Sequence, residues 1–256
     1  MKNNRRSFIK LAGIAAAGLA LAPKAMASSV GGSPVKADRT ALTAKHWGMV
    51  IDTTKLNTKE AIEALGKVCH AIHNVPTIAG KQEVKWLWPA PYDQTFIDQE
   101  NPYLSEDVHI RQYALLCNHC KNPPCVRVCP TKATYKRPDG IVDMDYHRCI
   151  GCRYCMAGCP YGSRSFNWGE PRDHLDLNNL NKEYPTRMRG VVEKCNFCVE
   201  RLAVGKLPAC VEASEGAMFF GDLSDPNSEV RQVLRERFTI RRSPGAGTEP
   251  SVFYII

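Results

Sequence analysis

The sequence is missing several familiar signatures, and each absence removes a class of function. No CxxC is followed by histidine, which excludes covalent c-type haem attachment. The CxxxCxxC spacing of radical-SAM enzymes is absent. There is no nucleotide-phosphate loop, no nucleophile triad and no isolated acid–base pair to carry hydrolytic chemistry. After Ser28 no apolar run approaches the roughly 20 residues a spanning helix needs, so membrane association would come through a partner. Acidic residues are missing from 1–27, a stretch that holds five of the 34 basic residues. The rest of the chain sets 29 basic residues against 26 acidic ones, so the formal charge of +8 falls to +3 there. That balance gives nucleic-acid binding no support. With 256 residues, 44% of them hydrophobic, the chain is long enough for one or two domains with a real core.

The N-terminus reads as an address. Asn4-Arg5-Arg6-Ser7-Phe8-Ile9-Lys10 resembles the twin-arginine export consensus, with Arg5 and Arg6 as its pair. A stretch rich in Ala, Leu and Gly follows from Leu11 to Ala22, and Ala25-Met26-Ala27 forms a small-x-small site. Residues 1–27 are therefore expected to be a signal peptide cleaved after Ala27, and the mature protein is expected to be periplasmic.

What the sequence does have is twelve cysteines. In an exported protein an even number suggests disulfides, and paired CxxC motifs suggest zinc. The spacing favours neither. Cys149-x2-Cys152-x2-Cys155-x3-Cys159-Pro160 is the bacterial ferredoxin pattern, and Cys117-x2-Cys120-x4-Cys125-x3-Cys129-Pro130 is the same pattern with two residues added. Cys195-x2-Cys198-x11-Cys210 is a looser variant. Three thiolates of a short loop can wrap one [4Fe–4S] cube, while the fourth cysteine leads away and ligates the other cube of the pair. Gly151 lets the backbone approach closely. This crossing assigns Cys117, Cys120, Cys125 and Cys159 to a first cluster, and Cys149, Cys152, Cys155 and Cys129 to a second. Residues 133–137 and 141–145, joined by Pro138-Asp139-Gly140, read as the connecting hairpin.

The strings Leu115-Leu116-Cys117-Asn118-His119-Cys120 and Asn122-Pro123-Pro124-Cys125 resemble the electron-transfer subunits of membrane oxidoreductases. So do 221–226 and 247–251. The string from Asp145 to Cys155, followed by Ser165-Phe166-Asn167-Trp168, is most similar to the DsrO-type periplasmic subunit of the Dsr membrane complex linked to dissimilatory sulfite reduction. Many members of this superfamily carry four cysteine motifs and four clusters, the first motif paired with the fourth. The resemblance implies that Leu56, Lys59, Ile62 and Ser214 stand at the ligand positions of one lost cluster. It also makes Cys69 the fourth ligand of a third cluster with Cys195, Cys198 and Cys210. Three [4Fe–4S] clusters are then expected. Ala61, Ile62, Ala64, Leu65 and Val68 have the helical spacing to fill the lost region.

The expected fold is α+β, built of tandem ferredoxin-like modules with short hairpins and helices. Residues 106–180 would form the two-cluster module, 40–80 with 190–225 a discontinuous half, and 226–256 a segment wrapping the surface. The family resemblance implies a non-catalytic relay of single electrons between an integral membrane quinone-interacting subunit and a periplasmic multihaem cytochrome c. The alternative within the class is an electron-transfer subunit of a molybdopterin oxidoreductase of polysulfide, nitrite or formate type. An exported zinc- or disulfide-stabilised binding protein is the alternative outside it. His70 and His119 are expected beside clusters rather than as ligands. Trp86, Trp88, Tyr92, Phe96 and Tyr103 are expected to pack over the core, with a docking patch as the lesser reading. Arg187, Arg189, Arg201 and Lys206 are expected either to offset the charge of the third cluster or to be solvated.

Overall fold

A computed structural model of the chain describes residues 40–256; the signal peptide expected over 1–27, with Arg5, Arg6 and the cleavage after Ala27, lies outside the described residues. The stretch Trp47-Gly-Met-Val-Ile-Asp52 lacks polar alternation, the pattern of a strand covered on both faces. It forms β1 (Trp47–Asp52), buried along its whole length. The longest helix among the described residues, α1 (Lys59–His73), starts where the Thr58 side chain accepts from the Ala61 N–H, and stops at Asn74 in the left-handed conformation. Its buried face is Ile62, Leu65, Gly66, Cys69 and His73. The expected face differs in part: Ile62 and Leu65 are buried, but Ala61, Ala64 and Val68 are all exposed. Gly66 and Cys69 take the inner positions because the backbone of Leu87 passes so close that a Cβ on Gly66 would sit 3.0 Å from its carbonyl oxygen.

The remaining elements are short. They are β2 (Trp88–Pro91), α2 (Tyr92–Thr95), α3 (Glu106–Ile110), β3 (Gln112–Leu115), α4 (Pro124–Arg127), β4 (Thr134–Lys136), β5 (Val142–Met144) and α5 (Tyr154–Ala157). Then come β6 (Ser165–Phe166), β7 (Val192–Glu193), α6 (Val199–Leu202), α7 (Ala209–Ala213), β8 (Met218–Asp222), α8 (Glu229–Glu236), β9 (Thr239–Ile240) and β10 (Val252–Ile255). The main sheet has the order β8-β1-β10-β9, and β2-β3, β4-β5 and β6-β7 are two-stranded ladders. β4 and β5 form the expected hairpin, pairing Thr134 with Met144 around a turn in which Gly140 has φ +85°.

Strand periodicity divides β1 between two layers. Trp47, Met49 and Ile51 enter the main core, where Trp47 stacks on Phe220 at 4.9 Å. Val50 packs on the other side with Ile255 and with Val230 of α8. The C-terminal segment differs from the surface wrap expected of it. β10 is an interior strand, parallel to β1 with Ile51 opposite Tyr254, and Tyr254 is fully buried. Its apolar residues find more area to cover inside the sheet than on the surface. β1 also pairs antiparallel with β8, and α1 packs on α7, so residues 47–73 lie against 209–222.

One buried ion pair joins distant segments. Arg187 and Glu193 are both fully buried, with Arg187 Nη2 2.7 Å from Glu193 Oε2. Glu193 also accepts from Trp86 Nε1 at 2.9 Å and from Asn167 Nδ2. Arg187 donates to the carbonyl oxygens of His73 and Asn74 at the end of α1. Arg187 is therefore neither solvated nor facing a cysteine set, and Trp86 is a core residue rather than part of a docking patch. Removing one member of such a pair strands the other charge without water. Arg187→Met is expected to cost about 3–5 kcal/mol, read as a lower urea midpoint at unchanged m.

Candidate iron–sulfur centres

The three CxxC loops share a backbone device. The residue just before the second cysteine is left-handed in each: His119 at φ +40°, Gly151 at +71° and Phe197 at +56°. The reversal turns the loop tightly enough to bring its two cysteines to one side. Only glycine adopts it without strain, and the other two residues are held by packing. The rings of His119 and Phe197 are both fully buried and stack with centroids 3.7 Å apart. His119 Nδ1 accepts from the Val142 N–H at 3.1 Å, so the ring proton sits on Nε2. Burial, with Lys194 and Arg164 nearby, drives its pKa well down and keeps the ring neutral.

The cysteines gather in three sets. Cys117, Cys120, Cys125 and Cys159 line a small cavity that Val142, Tyr161 and Arg164 help to close. Cys129, Cys149, Cys152 and Cys155 line another with Met144, Ile150 and Val192. Cys69, on α1, faces the third set. Its thiol pKa is driven far up by burial first and then by Cys195, Cys198 and Cys210. The sets are not isolated. The His119–Phe197 stack joins the loop of the first set to that of the third, and α4 packs on α5 to join the first to the second. Burial grades along this line. All four members of the third set are buried, three of the first, and only Cys155 of the second.

These surroundings suit an iron–sulfur group. Four thiols per site give an all-sulfur donor set. Burial first and then the neighbouring thiols push Cys120 up to about 12. At Cys129 burial is outweighed, and hydrogen bonds from Thr134, Thr131 and Ala133 hold the thiol below its ordinary value. Bound cationic iron would supply the charge that stabilises the thiolates. Backbone N–H groups already turn toward sulfur, from Phe197 to Cys195 and from Thr134 to Cys129, each at 3.5 Å.

The positions of the lost site contain no thiol. Leu56 and Ile62 are buried in the main core, and Lys59 is at the surface beside Glu63. Ser214 donates to the Val211 carbonyl at 2.8 Å and accepts from the Met218 N–H at 3.0 Å, closing the turn after α7. Neither His70 nor His119 joins a set. His73 lies against the third, its Nε2 2.8 Å from Glu200 Oε1 and its Nδ1 2.8 Å from the Cys69 carbonyl oxygen. Arg201 pairs with Glu212 and its charge also favours the Cys210 thiolate, against the burial that pushes that thiol up.

Two residues carry no warning in the sequence. Arg164 and Lys194 are buried cations with no carboxylate partner among the described residues. Lys194 Nζ donates to the carbonyl oxygens of Val142 and Cys195. The signal available is a lone base close to a ligand, Ser163-Arg164-Ser165 after Cys159 and Lys194 before Cys195. Basic residues are common enough at surfaces to hide it.

Residues 108–174 match the 4Fe-4S dicluster domain family. Over nearly its whole length the chain is similar to the Hdr-like menaquinol oxidoreductase iron–sulfur subunit 1 of Archaeoglobus fulgidus, at 39% identity over 98% of this chain and 97% of that one. It is 35% identical to a subunit of the tetrathionate reductase of Salmonella typhimurium, covering 100% and 89% of the two chains. It is also 35% identical to the menaquinone reductase iron–sulfur cluster-binding subunit of Nitratidesulfovibrio vulgaris, covering 82% and 88%. These likenesses favour the alternative, an electron-transfer subunit of a molybdopterin-oxidoreductase-type complex, over the DsrO-type reading.

Gly151 offers a local test of the second set. A Cβ there would collide with the Gly190 carbonyl and meet Phe166 at 3.2 Å, on a backbone that disfavours side chains. Gly151→Val is expected to lose about one third of the bound iron, the share of one cube in three, while the spectra of the other two centres persist.

Proposed function

The chain belongs to the family of iron–sulfur subunits of oxidoreductases that includes these menaquinol-, menaquinone- and tetrathionate-linked proteins, and on that premise we propose that it relays single electrons through three [4Fe–4S] clusters within a membrane-associated complex. Cys117, Cys120, Cys125 and Cys159 hold the central cluster. Cys129, Cys149, Cys152 and Cys155 hold the one nearest solvent, and Cys69, Cys195, Cys198 and Cys210 the most buried. A [4Fe–4S] cube takes up and gives back one electron with its charge spread over iron and sulfur. The rest falls to the chain: ordering the three sites, keeping water from two of them, and aiming N–H groups at sulfur.

The observation that carries this reading is the linear succession of three four-thiol sets. No fourth four-thiol set is built beside them among the described residues. Exposure of the second set makes its side the port for exchange with a redox partner. Ile150 and Tyr154 beside it are 67% and 62% exposed. Trp168 packs there under the Arg153 guanidinium, 4.6 Å from its ring centre.

The broader placement is as the electron-transfer subunit of a quinone-linked or molybdopterin-type complex, with an integral membrane quinone-reactive subunit as partner. Among the described residues no helix is long and apolar enough to cross a membrane, which fits attachment through that partner. The narrower DsrO-type placement rests on the string from Asp145 to Cys155 and on the Arg5-Arg6 address. It adds periplasmic export and a multihaem cytochrome c.

Iron and acid-labile sulfide per chain test the relay. About twelve of each is expected for three cubes, with Cys69→Ser reducing both to about eight. A wild-type value near eight removes the role given to Cys69, and zinc without sulfide overturns the reading. Affinity purification from the native membrane separates the two placements: a molybdopterin-bearing catalytic subunit supports the broader one, a multihaem cytochrome c the narrower.

A further inference from the structure

Arg164 is 5% exposed and has no carboxylate partner among the described residues. A guanidinium in a folded protein stays charged, and burying it without a counter-ion costs several kcal/mol. Its surroundings show where the compensating charge lies. The groups holding its charge in place are the thiols of Cys125, Cys155 and Cys117. It lines the cavity of the first set with Cys117, Cys120, Cys125 and Cys159, and the two side chains that anchor it, Thr134 and Met144, line the cavity of the second with Cys155. One edge of the fork is tied down, with Nη1 3.2 Å from both Thr134 Oγ1 and Met144 Sδ. Those two residues face each other at the mouth of the β4–β5 hairpin. The other nitrogen, Nη2, is buried with no nitrogen or oxygen partner. Other buried donors, Arg242 Nη1 among them, share that state, but an orphaned donor on a clamped cation that lines a four-thiol cavity points to an acceptor that binds there.

We propose that Arg164 is the shared positioning cation of the two neighbouring clusters, clamped between Cys125 and Cys155 so that one guanidinium sets the reduction potentials of both. The proposal rests on the relay reading above. Reduction adds one negative charge to a cluster, and a fixed cation beside the ligand sulfurs stabilises the reduced form more than the oxidised one. Because the cation lies beside ligands of both sets, both potentials rise together and the central and outer sites stay matched. The third set has a buried cation of its own, Lys194, whose Nζ donates to the Cys195 carbonyl oxygen. Thr134 and Met144 keep the fork from turning toward one cluster alone.

The test is an EPR-monitored redox titration of the full, cluster-loaded chain. In Arg164→Gln two of the three transitions are expected to move together to lower potential. Each moves by at least a ten-fold change in oxidised-to-reduced ratio at fixed poise, about 59 mV for a one-electron couple, and the third stays in place. Arg164→Lys keeps the charge and should hold both transitions within about threefold of the wild type, by the same one-electron scale. Unmoved potentials in fully loaded Arg164→Gln overturn the proposal, and so does an equal shift of all three. Where Arg164→Gln does not load iron, the lysine variant decides, and a ten-fold fall in it overturns the assignment. A wild-type chain with iron for only two clusters would sink the role of Cys69 but leave Arg164 standing. Zinc in place of iron would sink the relay reading itself.

Discussion

Much of this structure follows from the need to keep four sulfur ligands together, three times over, in surroundings where their negative charge is poorly solvated. Each thiol raises the cost of ionising its neighbours, and burial adds to it; Cys69 and Cys198 are driven far up by both. Such a set is tolerable only when something positive occupies its centre, so folding and cofactor loading are coupled. That explains why the described residues form one long helix and many short elements. Regular structure is spent on framing the sets, and the left-handed turns at His119, Gly151 and Phe197 do what longer elements cannot.

The same constraint orders the interior. Between the first and second sets lies Arg164, and between the first and third lie Lys194 and the stacked pair His119–Phe197. These junctions are therefore cationic or aromatic. The buried carboxylate Glu193 is balanced by Arg187, Trp86 and Asn167. An unpaired carboxylate at a junction would add repulsion where the clusters carry most charge. The falling burial from the third set to the second gives the line a direction in structure, an enclosed end and an open one.

Legibility in the sequence tracks the range of the interaction. The first two sets are readable because their ligands lie within 117–159 in a fixed rhythm, and the β4–β5 hairpin because Pro138-Asp139-Gly140 is a local turn signal. Cys69 is placed only through family resemblance, since no spacing links it to residues more than a hundred positions away. The inner face of α1 is hard to judge because the choice between Val68 and Gly66 depends on the passing backbone of Leu87. β10 reads as a surface wrap because pairing between Met49 and Val252 leaves no trace in either segment. Arg164 is hidden for the same reason: nothing near it in sequence records that Thr134 and Met144 clamp it.

The lost site follows the logic of the retained ones. Under the crossed ligation implied by the family, Leu56, Lys59, Ile62 and Ser214 occupy the ligand positions of a single cluster. Losing one ligand would have left three thiolates repelling one another, or an iron open to solvent; losing all four removes the charge altogether. Each replacement does something else. Leu56 and Ile62 are buried against the core, worth about 1.5–3 kcal/mol each by area. Lys59 sits in the first turn of α1, opposite Glu63, and Ser214 closes the turn that leads into β8. That turn hands the chain to the strand pairing β1, which carries α1 and with it Cys69. On that reading, apolar packing at Leu56 and Ile62 keeps Cys69 in front of Cys195, Cys198 and Cys210 without a neighbouring cluster.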